Sequence, residues 1–223
     1  MNCHVRNTKM GRSLTLVLST VAAVLLSMTA WSGTAVAHGS VIDPASRAYD
    51  CWQRWGSDFQ NPAMAQQDPM CWQAWQANPN AMWNWNGLYR NGSGGDFRAA
   101  VPDGQLCSGG RAEGGRYNAL DTVGAWKTTD ITDDFTVELY DQASHGADYF
   151  EVYVSRQGFD PTTQALRWSD LELVAETGRY GPSQNYSIPV STSGYTGHHV
   201  VYTIWQASHM DQTYFLCSDV NFG

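Results

Sequence analysis

From about residue 130 onward, apolar and polar residues alternate. Phe135, Val137 and Leu139 are interleaved with Thr136, Glu138 and Tyr140; Phe150, Val152 and Val154 are interleaved with Tyr149, Glu151 and Tyr153. A period of two is that of a half-buried strand. Residues 186–190, 199–205 and 214–222 continue the series, with Gly and Pro at 178–182 and Ser193-Gly194 as turns. Residues 168–176 fit either a strand or a short helix. Strands at this spacing predict an all-β, antiparallel sandwich.

The first half reads differently. Residues 38–47 suggest a strand that turns at Asp43-Pro44. Between Asp50 and about Thr129 the periodicity fails, glycines cluster at 92–95 and 109–115, and Trp52, Trp55, Trp72, Trp75, Trp83 and Trp85 are crowded together. Short helices fit 69–76 and 79–89. We expect this stretch to be a loop- and helix-rich insertion after the first strand, without strands of its own. Insertions of this length are usually functional.

Residues 1–37 carry Arg6, Lys9 and Arg12, an apolar run over 14–28, and small residues at Ala35 and Ala37. This is the three-part secretory signal. Ser19, Thr20 and Ser27 interrupt the run, which falls short of the roughly 20 apolar residues of a membrane span. Cleavage after Ala37 would make His38 the N-terminus of a secreted, extracellular single domain, 38–223, with no appended binding module. That domain keeps 10 basic and 21 acidic residues, a formal charge of −11, with Lys127 its only lysine. Such a charge repels phosphate backbones and excludes nucleic acid as a partner. No membrane partner is expected, and the chain should be a monomer.

Cys51, Cys71, Cys107 and Cys217 form an even set in an exported chain, so two disulfides with three possible connectivities follow. Pairing Cys51 with Cys71 would staple one loop. Pairing Cys107 with Cys217 would tie the middle to the last strand; loop entropy makes the two worth about 3 and about 4 to 5 kcal/mol. A four-cysteine zinc site is disfavoured, because no Cys-x-x-Cys pair is present.

A terminal histidine offers its α-amine and ring Nδ1 to one metal ion. His145, between two strands, would add a third nitrogen, a set that suits copper. His198 and His199 point to opposite faces of one strand and read as surface and core-edge residues. His209, in a loop before the last strand, is a candidate for the substrate surface. Trp83, in Met82-Trp83-Asn84-Trp85-Asn86, is the tryptophan best placed for exposure, and an exposed ring stacks on a sugar face. There is no Gly-x-Ser-x-Gly elbow, His-Glu-x-x-His or phosphate-binding loop.

The start His38-Gly39-Ser40-Val41-Ile42-Asp43-Pro44-Ala45-Ser46-Arg47, His145, and the closing Tyr214-Phe215-Leu216-Cys217-Ser218-Asp219-Val220-Asn221-Phe222 together resemble bacterial lytic polysaccharide monooxygenases of auxiliary activity family ten, formerly carbohydrate-binding module family 33. The resemblance spans 38–223. It implies an immunoglobulin- or fibronectin-III-like sandwich holding one copper ion per chain, with His38 and His145 as the metal-binding pair. The family's axial aromatic corresponds to Tyr214, where many members have phenylalanine. Phe215 faces the other way. Ala143 matches the small residue crowding the vacant axial side, and Gln212 a Glu or Gln near the copper-bound oxygen. Trp83 and Asn86 match the cellulose-active branch that oxidises C1 and C4.

The implied function is a secreted copper monooxygenase that uses O2 or H2O2 and an external electron donor to cleave crystalline cellulose, with chitin as the second substrate. The alternatives are a non-catalytic cellulose- or chitin-binding protein and an exported copper carrier.

Overall fold

The strands with clean alternation do form the body of the protein. In a computed structural model, the residues described are Met1, 38–93 and 95–223. The expected secretory signal, apart from Met1, lies outside them. Strands β1 (Gly39–Asp43), β4 (Asp134–Asp141) and β7 (Asn185–Ser191) make one antiparallel sheet in the order β1-β4-β7. On β7, Tyr186, Ile188 and Val190 are buried while the residues between them are exposed. Pro189 fits there because β7 is an edge strand, where a missing N–H is tolerated.

The second sheet runs β2-β9-β8-β5-β6, from Tyr89–Asn91 (β2), Ala147–Ser155 (β5), Leu171–Glu176 (β6), Gly197–Ala207 (β8) and Gln212–Phe222 (β9). A short β3 (Thr129–Ile131) joins β9 in parallel, the one parallel pairing among the described strands. The two sheets form the expected β-sandwich. β8 and β9 are buried along nearly their whole length and on both faces. Only a layer outside the sheet can do this, and the insertion between β1 and β3 supplies it.

That insertion corrects two expectations. It is not strandless, since β2 lies within it and pairs with β9. Residues 79–89 are not one helix: helical structure covers only Asn80–Trp83, and turns lead through Gly87 into β2. A helix that alternation did not reveal, α1 (Arg47–Trp55), begins just after β1. It is held by long-range partners. Arg47 forms two hydrogen bonds with the Asp219 carboxylate on β9, at 2.6 and 3.1 Å, and donates a third to the Leu120 carbonyl. The Trp126 ring lies 4.6 Å from its guanidinium. Cys51 on α1 is bonded to Cys71 on the helix α2 (Pro69–Ala77), and Cys107 to Cys217 on β9. Residues 168–176 resolve into one 3₁₀ turn followed by β6.

From His38 onward the described residues form one unit with its own core. No helix among the described residues is long and apolar enough to cross a membrane.

Candidate metal and substrate site

The site begins where β1 meets β4. Gly39 pairs with Asp141, the last residue of β4. The backbone of His38 is fixed on both sides of this pair, because Gln142 N–H donates to the His38 carbonyl at 2.8 Å and Gly39 N–H donates to the Asn86 carbonyl at 2.8 Å. Gly39 must be glycine: a Cβ there would sit 2.7 Å from both the Trp205 ring and the Tyr140 carbonyl.

The β4–β5 loop carries His145, and Asp141 shapes it. Asp141 is fully buried at the inward end of the alternation Val137, Leu139, Asp141. Its carboxylate accepts from the backbone N–H of Ala143 and of His145, and Oδ1 lies 3.1 Å from His145 Nδ1. Since a carboxylate can only accept, Nδ1 carries the proton of the neutral ring, the form in which Nε2 holds a lone pair. His145 Nε2 is buried without a hydrogen-bond partner. An orphaned buried polar atom of this kind has the properties of a metal ligand whose other nitrogen is fixed by a carboxylate. The residues therefore fit a nitrogen-bound copper ion. Among the described residues no three His, Cys, Asp or Glu side chains gather to hold a metal. The ion would be held by His145 Nε2, the His38 ring and the α-amine that cleavage before His38 creates.

Trp205 links the parts. Its indole N–H donates to the Gly146 carbonyl at 3.2 Å, its ring abuts Gly39, and the Tyr214 ring stacks on it at 4.3 Å and 22°. Tyr214 and Trp205 are register partners on β9 and β8. Tyr214 is fully buried, its hydroxyl donates to Gln212 Oε1 at 3.2 Å, and burial raises its pKa so that it stays a neutral donor. Phe215 faces the opposite side of β9 and packs on Phe97. Gln212 is buried and bonded to Asn91 on β2.

His38, Asn84, Asn86, Gln142 and Ala143 line one open depression. The Asn86 side chain donates to Gln142 Oε1 at 2.9 Å, bracing the insertion against the β4–β5 loop. Trp83 is 44% exposed, with its ring in T-shaped contact with Phe59 and Trp75. His209 is exposed, and its ring lies 4.0 Å from that of His145, next to the candidate ligand. Burial, then the neighbouring His145, lowers its pKa. His198 bonds to Asp219, and His199 is buried against the Ser155 carbonyl; neither meets His145.

Sequence reasoning missed Asp141, Trp205 and Asn91. Asp141 had a signal, because it is a carboxylate in the inward register of a strand, four residues before a loop histidine.

Residues 38–220 match the family described as "Lytic polysaccharide mono-oxygenase, cellulose-degrading". A solved lytic polysaccharide monooxygenase from Kitasatospora papulosa is 84% identical, covering 83% of this chain and 98% of that chain with a TM-score of 0.83. A second structure, ScLPMO10B in complex with zinc, is 81% identical with the same TM-score, covering 83% of this chain and all of that chain. The chitin-binding protein CbpD of Pseudomonas aeruginosa is 33% identical over 201 residues, covering 83% of this chain and 48% of that protein. The chain thus spans about half the length of this curated relative. With the family matched along almost all of the described sandwich and site, the chain belongs to the lytic polysaccharide monooxygenase family.

Proposed function

We propose that, once cleaved before His38, this chain is a secreted copper-dependent monooxygenase. It breaks glycosidic bonds in crystalline cellulose at C1 and C4, with chitin as a second substrate. The observation that carries this reading is the buried, partnerless Nε2 of His145, aimed by Asp141 and close in the fold to the anchored backbone of His38.

Copper, when bound, would supply the one-electron and O2 or H2O2 chemistry that oxidises a sugar carbon, drawing on an external electron donor. The chain's own residues do the rest. His38 and His145 hold the ion, and Asp141 keeps the proton on His145 Nδ1 so that Nε2 remains a ligand. Trp205 and Tyr214 form a buried aromatic wall behind them. Ala143 lines the depression beside His38. Trp83 offers an aromatic face to a sugar ring, and Asn86 adds a polar contact beside it. An open depression suits a flat crystalline polymer, which cannot enter a deep cleft. The acidic surface steers away polyanions and leaves uncharged polysaccharide as the compatible partner.

The decisive experiment incubates copper-loaded 38–223 with cellulose or chitin and ascorbate and analyses the products by mass spectrometry. Oxidised oligosaccharides are expected from cellulose. A chain retaining Ala37, which lacks the free amine at His38, should produce none. Binding of either polymer without any oxidised product would leave the binding-protein reading, and copper uptake without polymer binding would leave the carrier.

A further inference from the structure

The connection between β8 and β9, residues 208–211, is pinned at both ends. Ser208 N–H donates to the Gly146 carbonyl at 3.3 Å and its hydroxyl to the His145 carbonyl at 2.8 Å, which ties the connection to the loop that carries the candidate ligand. At the other end Gly92 N–H donates to the Asp211 carbonyl at 2.9 Å, and Gln212 N–H turns back to the Met210 carbonyl at 2.7 Å. Between these anchors the side chains of His209 and Met210 are exposed, and the His209 ring lies 4.0 Å from that of His145. Met210 is 45% exposed, whereas Met64, Met70 and Met82 are at most 7% exposed, so it is the one exposed methionine among the described residues of 38–223. The other large apolar side chains exposed there are Trp83, Val123 and Leu173. Leu173 lies on the edge strand β6 and Val123 on the segment before β3, so neither belongs to the loops around His145. An apolar, polarisable thioether is thus presented on a fixed backbone beside the site.

We propose that Met210 is an oxidisable contact at the edge of the site: a polymer chain lying over His38 and His145 packs on its thioether, and in the unbound protein hydrogen peroxide converts that thioether to a sulfoxide. In this step the sulfur lone pair attacks one peroxide oxygen, and an S–O bond forms as the O–O bond breaks. The departing hydroxide takes up the proton shed by the transferred oxygen and leaves as water. Sulfur is oxidised by two electrons and peroxide is reduced by two, with no metal required. Susceptibility follows exposure, which separates Met210 from the three methionines packed in the core. A sulfoxide turns a flexible apolar side chain into a polar one, so the contact weakens and affinity for the polymer falls. Bound polymer covers the sulfur, so peroxide acts on the unbound protein and hinders its return to the polymer. The polymer contact rests on the monooxygenase reading above; the oxidation rests on exposure alone.

The test treats metal-free 38–223 with hydrogen peroxide and follows each methionine by peptide mass spectrometry. Sulfoxide should form at Met210 at least about tenfold faster than at Met64, Met70 or Met82. With the protein adsorbed on insoluble cellulose or chitin, formation at Met210 should slow at least about fivefold, because the polymer shields the sulfur. After treatment the protein should bind the polymer about two- to fivefold more weakly, the worth of one small apolar contact. Methionine sulfoxide reductase should restore the lost binding. Met210→Leu, which offers no sulfur, should bind equally before and after peroxide. Because Met210 is exposed, the melting temperature should be the same for treated and untreated protein. Met210 oxidised no faster than the buried methionines, or at the same rate on the polymer as off it, would overturn the proposal. So would a Met210→Leu protein that loses as much binding to peroxide as wild type. If the protein binds neither polymer and yields no oxidised oligosaccharide, the monooxygenase reading fails and the polymer contact with it, while the rates at these methionines still decide whether Met210 is the oxidised site.

Discussion

Asp141 is the group on which the candidate metal site depends most, and Asp141→Asn tests this with a change of one atom. The carboxylate serves three donors from a fully buried position: the N–H of Ala143, the N–H of His145, and His145 Nδ1. An amide keeps a single carbonyl oxygen. Placed at Oδ1, that oxygen still serves Ala143 and the ring, but the new NH2 faces the His145 N–H, donor against donor. Placed at Oδ2, it serves the His145 N–H, but the NH2 then faces Nδ1 and favours the tautomer with its proton on Nε2, which removes the ligand lone pair. One buried donor is stranded in either case, at about 1–3 kcal/mol. Loss of such an outer partner weakens metal binding by about 10- to 100-fold, or about 1.4 to 2.7 kcal/mol. The measurement is competitive calorimetric titration of copper into 38–223 against a chelator of known affinity. Affinity within twofold of wild type in Asp141→Asn would show that the carboxylate does not orient the ligand.

Further predictions concern other links between insertion and sandwich. Arg47→Met strands the buried Asp219, whose carboxyl is destabilised by burial but held below its usual pKa by Arg47 and His198; the loss should be about 3–5 kcal/mol in urea unfolding. Adding Asp219→Asn should recover part of this, and a double variant no more stable than the single would refute the pairing. Asp121 is raised by burial to about 6 from 3.8, so its folded form binds a proton more tightly than the unfolded chain. Its contribution is full below about pH 4 and lost as pH rises through about 6, by up to about 3 kcal/mol. Asp121→Asn should flatten this part of the melting-temperature profile, and an unchanged slope would assign it to other groups. Trp83→Ala should weaken binding to insoluble cellulose about two- to tenfold, the worth of one aromatic contact of about 0.5–1.5 kcal/mol. Undiminished binding would remove Trp83 from the substrate surface.

The parts of the fold legible in the sequence were those whose burial is one-sided. β4, β5 and β7 alternate because one face meets the core and the other meets water. β2 and β3, three residues each, are too short to show a period, and they exist only because β9 offers them an edge. α1 was hidden for a related reason. Its residues Arg47–Trp55 are mostly polar or aromatic, and what holds them is an ion pair 172 positions away and a disulfide, neither of which leaves a local pattern. The site divides in the same way. His38 and His145 stand out by position and chemistry, whereas Trp205 joins the site only by abutting Gly39 and stacking on Tyr214.

The β1–β4 register is what joins these separate parts into a site. A strand has a side-chain period of two, so a slip of one residue would turn Asp141 outward and carry His38 away from the loop it must meet. Gly39 prevents that slip. It is opposite Asp141, and the space where its side chain would be is filled by the Trp205 ring and the Tyr140 carbonyl. Neither Ser40 nor His38 could occupy that position without displacing the tryptophan that also binds Gly146 and stacks on Tyr214. This glycine therefore fixes where the backbone of His38 lies, the N-terminus of the chain proposed to be active. A terminal histidine can ligate metal without help from a fold, but only a fixed register places it beside a second histidine whose buried Nε2 is left without a hydrogen-bond partner.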